Sequence, residues 1–84
     1  MEIKMSELYE KLISNDQSFY IELEKILNKN ITLFELDLDT NEYVKVNDYY
    51  SLAVFVEEDE LGFEFGKEYY ERVYLNNTDI IKIN

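Results

Sequence analysis

In the first thirty residues, apolar side chains recur at helical spacing. Met5, Leu8, Tyr9, Leu12 and Ile13 fall at i, i+3, i+4, i+7 and i+8, which is one face of a helix, and Ser6 stands where an N-cap belongs. Asn15 and Asp16 interrupt the pattern. Asp16 is placed to cap a second helix in which Phe19, Leu23, Ile26 and Leu27 repeat the stripe, and Asn28 to Asn30 end it. The polar faces alternate Glu22 and Glu24 with Lys25 and Lys29 instead of presenting a basic recognition surface, so the pair reads as a packed helical hairpin, not a DNA-reading helix-turn-helix.

From Ile31 onward the period changes to two. Phe34, Leu36 and Leu38 are expected to face the core while Glu35, Asp37 and Asp39 face solvent. Val44 and Val46 alternate with Tyr43 and Lys45 in the following run. A three-residue loop at Asp39, Thr40 and Asn41, with Asn41 left-handed, would pair Leu36 with Val44, Phe34 with Val46 and Glu35 with Lys45. The apolar run at 49–56 reads as one central strand covered on both faces. Glu57, Glu58, Asp59 and Glu60 form a turn, after which Leu61, Phe63 and Phe65 alternate with Gly62, Glu64 and Gly66. The two glycines leave room for a bulge or for close approach of another backbone. YERVYL and IIKI, flanking NNTD at 76–79, read as a terminal hairpin. The expected fold is therefore α+β: two N-terminal helices (1–30) packed on one face of an antiparallel sheet of about five or six short strands (31–84).

Eighty-four residues suit a single domain. Without cysteine, disulfides and thiolate zinc sites are excluded. Charged residues at positions 2, 4, 7, 10 and 11 interrupt any apolar core of a signal peptide, and the longest uncharged apolar run, YYSLAVFV, is far shorter than the roughly 18 residues of a membrane span. The expectation is a soluble protein of the cytoplasm. The net charge is −11, with no histidine, and it is unevenly spread. Residues 1–30 hold six acids and four bases, whereas residues 31–84 hold thirteen and four. Direct binding to nucleic acid is disfavoured, because that affinity comes from Lys and Arg displacing counterions.

Two kinds of chemistry can be tested against the residue spacing. Asp37, Asp39 and Asn41 take the one-three-five positions of a calcium loop, with Asp48 where a bidentate Glu belongs. Position six, however, needs a glycine and holds Glu42, and the flanks alternate as strands instead of continuing as helices, so an acidic hairpin accounts for the segment and no metal is expected. Carboxylates are plentiful enough to supply an acid and a base, yet a thin core leaves little depth for a desolvated carboxyl. With no histidine, cysteine or glycine-rich phosphate loop, no enzyme activity and no cofactor are expected.

What stands out is acid combined with tyrosine. Between residues 35 and 71 there are twelve acids against Lys45 and Lys67, and the chain carries eight tyrosines, a residue type enriched where proteins meet proteins. Of Tyr43, Tyr49, Tyr69, Tyr70 and Tyr74, about half are expected in the core and half at the surface, an apportionment set by how few phenylalanines the core has. Alternate residues on a strand lie about 6.6–6.8 Å apart, near twice the phosphate spacing along one DNA strand. The segments ELDLDTNE, VEEDE and GFEFGKEYYE, with the size and charge of the whole chain, resemble the small acidic inhibitor proteins of phages and mobile elements, such as anti-CRISPR proteins and other DNA mimics. That resemblance implies a non-enzymatic inhibitor, a monomer or homodimer, that covers the nucleic-acid channel of a basic nuclease such as a CRISPR effector. Glu35, Asp37, Asp39, Glu57, Glu58, Asp59, Glu60 and Glu64 are the candidate contacts. Two other classes fit the same composition: an immunity protein or antitoxin against a basic nuclease toxin, and a phage structural or assembly component that oligomerises through a strand edge.

Overall fold

The computed structural model describes residues 1–65 and 71–84. The elements run β1 (Glu2–Lys4), α1 (Met5–Ile13), α2 (Ser18–Glu24), β2 (Asn30–Asp37), β3 (Glu42–Tyr50), β4 (Ala53–Glu57), β5 (Glu60–Phe65), β6 (Glu71–Leu75) and β7 (Ile80–Ile83). The α+β class is as expected: two helices pack with antiparallel sheet. The strands number seven among the described residues and divide into a four-stranded sheet, ordered β1-β7-β2-β3, and a three-stranded sheet, ordered β4-β5-β6. Among the described residues no helix is long and apolar enough to cross a membrane.

The helical stripes do what their spacing requires. Met5 and Leu8 of α1 and Phe19 and Leu23 of α2 are buried, and Ile26 joins them from the turn that follows. Ile13 is the exception at 81% exposure. Eight residues beyond Met5 it lies about 80° round the helix from that residue, at the edge of the stripe, and the helix ends there. Ser6 lies inside α1 and does not cap it; the N-cap position is Lys4, without a side-chain bond. The Met5 amide donates instead to the Asp79 carbonyl, 3.0 Å away, so a distant turn satisfies one of the orphan donors of the helix. Asp16 stands one residue before the N-cap position of α2, which is Gln17 without a side-chain bond, yet its Oδ1 accepts the Ser18 amide at 2.9 Å and so serves the first donor of the helix. Asn15 and Asn28, both left-handed at φ 57°, close the helical segments.

In the four-stranded sheet one rung aligns Ile3, Ile81 and Leu33 across three strands, and Ile31 stands opposite Ile83 and Tyr49 in the next. These residues face the helices and the second sheet. The parity of β2 is thus the reverse of the expected one: Ile31 and Leu33 point inward, and Phe34 and Leu36 lie on the outer face, half-buried. Pairing with β7 decides this, because only odd positions of β2 meet the apolar residues of β7 and β1 on the buried side. Leu38 belongs to no strand and is 84% exposed.

The β2–β3 register is correct at its inner end and slips at its outer end. Ile31 to Leu33 follow the register that the hydrophobic pattern implies, with Leu33 opposite Asn47. An irregularity between Leu33 and Phe34 leaves Val46 without an opposite residue, and beyond it Phe34 faces Lys45, Glu35 faces Val44, Leu36 faces Tyr43 and Asp37 faces Glu42. The loop is therefore the four residues 38–41, not three. Asp37 organises it by accepting the Asp39 amide on Oδ1 at 2.9 Å and the Asn41 amide on its carbonyl at 2.7 Å, with Asn41 left-handed at φ 59° as anticipated.

Two other segments correct the sequence reading. The 49–56 run is not one central strand: it is the end of β3 and the start of β4, edge strands of different sheets, with a corner at Ser51 and Leu52. Backbone bonds hold the corner, from the Ser51 amide to the Lys29 carbonyl (3.0 Å), from the Asn28 amide to the Ser51 carbonyl (2.8 Å), and from the Leu52 amide to the Glu64 carbonyl (2.8 Å). Tyr49 joins the sheets by lying against Phe63 and Phe65, ring centroids 5.2 and 4.6 Å apart. Likewise YERVYL and IIKI are not a hairpin, since β6 pairs with β5 and β7 inserts between β1 and β2. The NNTD turn carries the chain from one sheet to the other, and its Asp79 is buried, with Oδ2 accepting the Asn76 amide at 2.7 Å.

Tyr9 ties α1 to the three-stranded sheet. Its hydroxyl accepts the Leu61 amide at 3.1 Å and donates to the Leu75 carbonyl, so it stands between two directly opposed residues of β5 and β6. A phenolic oxygen there serves as a rung of the ladder.

Two predictions follow from these contacts. Tyr9→Phe leaves the Leu61 amide and the Leu75 carbonyl without their partner and should cost about 1–3 kcal/mol in urea unfolding, whereas Tyr20→Phe, at a residue 67% exposed, should stay within about 0.5 kcal/mol. Equal effects would show that the hydroxyl bridge contributes nothing. Desolvation raises the Asp79 carboxyl above its ordinary value, the Asn76 amide opposes this, and the charge of Glu35 adds to the rise. The contribution of this group to stability is therefore full below the ordinary carboxylate range and declines as pH rises through the raised value. Asp79→Asn keeps an acceptor for Asn76 and removes the titration, so its stability relative to wild type should improve between pH 4 and pH 7. A pH-independent difference in paired denaturation curves would refute this.

Candidate protein-binding surface

Directly opposed residues share a face of a sheet, and faces alternate along each strand, so the register fixes where each charge lies. On the outer face of the four-stranded sheet the charges are Glu2, Lys4, Lys45, Asp48 and Lys82, two acids against three bases, beside Phe34, Leu36 and Ile80 and the exposed Tyr43 and Tyr50. Asp48 is occupied there. It accepts Thr32 Oγ1 at 2.6 Å and Lys45 Nζ at 2.8 Å, and these bonds, Lys45 first, hold its carboxyl below the usual range. Asp48 stands opposite Thr32 while Asp37 stands opposite Glu42, five rungs or about 17 Å along the strand. The spacing that suggests a calcium loop thus places its first and last ligands at opposite ends of a hairpin.

The outer face of the three-stranded sheet has the opposite character. Phe55, Gly62 and Tyr74 form one rung across it, with Glu57, Glu60, Glu64 and Arg72 around them. Gly62 permits the arrangement: a Cβ at that position would overlap the Phe55 ring and the Val73 carbonyl oxygen, so the aromatic ring lies flat across the strand. Phe55 then meets Tyr74 edge-on with centroids 5.3 Å apart, and the Arg72 guanidinium sits 4.7 Å above the Phe55 centroid. From there Arg72 reaches Glu57 at 2.8 Å and Glu64 at 2.9 Å. Tyr74 first, and then Glu64, raise the guanidinium above its ordinary range.

The turn from β4 to β5 gathers the strongest charge. Glu57 and Glu60 are paired, and Glu58 and Asp59 form the two-residue connection with both φ values positive, 48° and 68°. Such turns favour Asn-Gly, and a side chain at each position costs about 1 kcal/mol or more in the left-handed region. Four carboxylates thus occupy a tight, strained turn. Glu57, Glu58, Glu60 and the half-exposed Tyr74 line an open hollow of about 260 Å³. Glu58, Asp59 and Glu60 have no ion pair among the described residues.

The eight candidate acids therefore fall into two groups. Glu57, Glu58, Asp59, Glu60 and Glu64 come together on the β4–β5 hairpin, two of them held by Arg72. Glu35, Asp37 and Asp39 lie at the far end of the β2–β3 hairpin and do not form the row that the alternation implied: Glu35 and Asp37 are on the strand, on the same side as Ile31 and Leu33, whereas Asp39 is in the loop and Asp37 is turned toward its amide. Among the tyrosines, Tyr43 and Tyr74 are exposed and Tyr49 is half-buried in the core; Tyr69 and Tyr70, like Gly66, lie outside the described residues. Arg72 and Phe55, absent from the candidate list, prove central to the acidic face. The alternation of YERVYL around Val73 contains a signal for the former, but its partners depend on which strand lies beside it. The chain matches no family model, no curated protein and no solved structure.

Proposed function

We propose that this protein is a non-enzymatic inhibitor that binds a basic, nucleic-acid-handling protein, such as a CRISPR effector nuclease in a bacterial cytoplasm, and blocks access of nucleic acid. The observation that carries this reading is the β4–β5 turn, where four consecutive acids meet and the middle two, Glu58 and Asp59, are held on a backbone that disfavours them, next to an exposed tyrosine. A turn selected for stability alone would contain Asn-Gly; strain kept at an exposed, highly charged position is characteristic of interaction sites. Segregation of charge supports the same reading, since the outer face of the four-stranded sheet is close to neutral and the acids concentrate elsewhere. On this reading the carboxylates speed encounter with a positive channel, and Tyr74, with Phe55 behind it, supplies the desolvated contact that slows release.

The double variant Glu58→Asn with Asp59→Gly separates folding from binding, because it installs the residues the turn prefers. It should raise stability by about 1 kcal/mol while lowering the association rate with the target and flattening its dependence on salt. The check is inhibition of DNA cleavage across a panel of purified CRISPR effector nucleases, followed by stopped-flow association at low and high salt with any nuclease inhibited. Inhibition of none, or an association rate at low salt equal to that of wild type, would remove the proposal.

A further inference from the structure

Every open sheet carries two edges with unpaired backbone donors and acceptors, and proteins ordinarily blunt them with charge, bulges or brevity. Among the described residues, three of the four edges are protected in these ways. β1 is three residues long and carries Glu2 and Lys4; β3 carries Lys45, Asp48 and the irregularity at Val46; β6 carries Glu71 and Arg72. β4 is different. Its Ala53-Val54-Phe55-Val56 run has no charge and no proline, its register with β5 is unbroken, and Val56 is 42% exposed.

We propose that the β4 edge is a self-association site, pairing antiparallel with β4 of a second copy of this chain about a two-fold axis at Phe55. In that register Phe55 faces its own counterpart, Val54 faces Val56, and Ala53 faces Glu57, so no like charges are opposed along the shared ladder. The two three-stranded sheets become one sheet of six strands. An antiparallel pair also sends the two acidic turns to opposite ends of the strand, which keeps the strongest like charges of two −11 chains apart. A basic peptide strand would find a single carboxylate on this edge, Glu57 at its end, and an acidic one would find no base, whereas a second copy matches every rung from Ala53 to Glu57. The proposal goes beyond the inhibitor reading and does not depend on it. Their salt responses are opposite: screening should tighten association between two negative chains and loosen capture of a positive partner.

Light scattering on the intact chain should show the mass rising from 10.2 kDa toward twice that value as concentration increases, and at lower concentration as salt is added. Val56→Lys places an edge charge on the exposed side chain and should weaken self-association at least about tenfold, with far-UV circular dichroism unchanged. Hydrogen exchange on the unmodified protein supplies a readout that needs no variant: β4 amides should exchange more slowly as concentration rises, while those of β3 stay constant. A monomer at all concentrations and salt levels overturns the proposal. So does a dimer in which β3, and not β4, gains protection.

Discussion

A single phenolic oxygen couples the two halves of this molecule. Tyr9 reaches from α1 into the ladder between β5 and β6, where its hydroxyl takes the Leu61 amide and gives its proton to the Leu75 carbonyl. The helix that begins on the Asp79 turn and packs on Ile3 is thereby locked to the other sheet, and the apolar cluster containing Leu61, Phe63, Leu75 and Ile81 closes between them. In a chain this small the core provides only a few kcal/mol of net stability, so one fully used polar bridge at the junction carries weight out of proportion to its size. Tyr49 does similar work at the opposite corner by purely apolar means.

With the junction fixed, the outward faces are free to diverge in character. The four-stranded sheet presents lysines and acids in near balance, while the β4–β5 hairpin presents acid almost alone. Arg72 limits the cost of that concentration by holding Glu57 and Glu64 over Phe55. Beyond its reach, Glu58, Asp59 and Glu60 stand in solvent, the first two on a left-handed backbone. Local electrostatics and local geometry are both unfavourable there, and the stability that tolerates them comes from the continuous ladder on either side.

The sequence makes plain those features that depend on neighbours in the chain. Helical stripes, the Asp16 carboxylate at the start of α2, the left-handed Asn41, the acidic turn and the close approach at Gly62 all follow from local chemistry. The failures share a cause. Phe34 and Leu36 look like the buried face of β2 until β7 supplies Ile81 and Ile83 on the other side; the 49–56 run looks like one strand until its two ends are seen to belong to different sheets; IIKI looks like the return of a hairpin until it is found between β1 and β2. Each requires knowing a partner at large sequence separation, which apolar periodicity does not encode. The acidic candidates show the same division: the four at the turn lie together because they are consecutive, and the row at 35–39 breaks because a loop of four residues, stabilised by Asp37, replaces a loop of three.

The position of β7 has a consequence for biosynthesis. Residues 80–83 are made well after β1 and β2, yet they form the strand between them, and until they arrive neither β1 nor β2 has the neighbour that covers its inward isoleucine and leucine side chains. The helices and the β4–β5–β6 sheet can assemble before residues 80–83 emerge, but the larger sheet can zip only afterwards, leaving a nascent intermediate with Ile3, Ile31 and Leu33 uncovered. The abundance of acid in the remainder of the chain helps to keep such an intermediate dissolved during that interval.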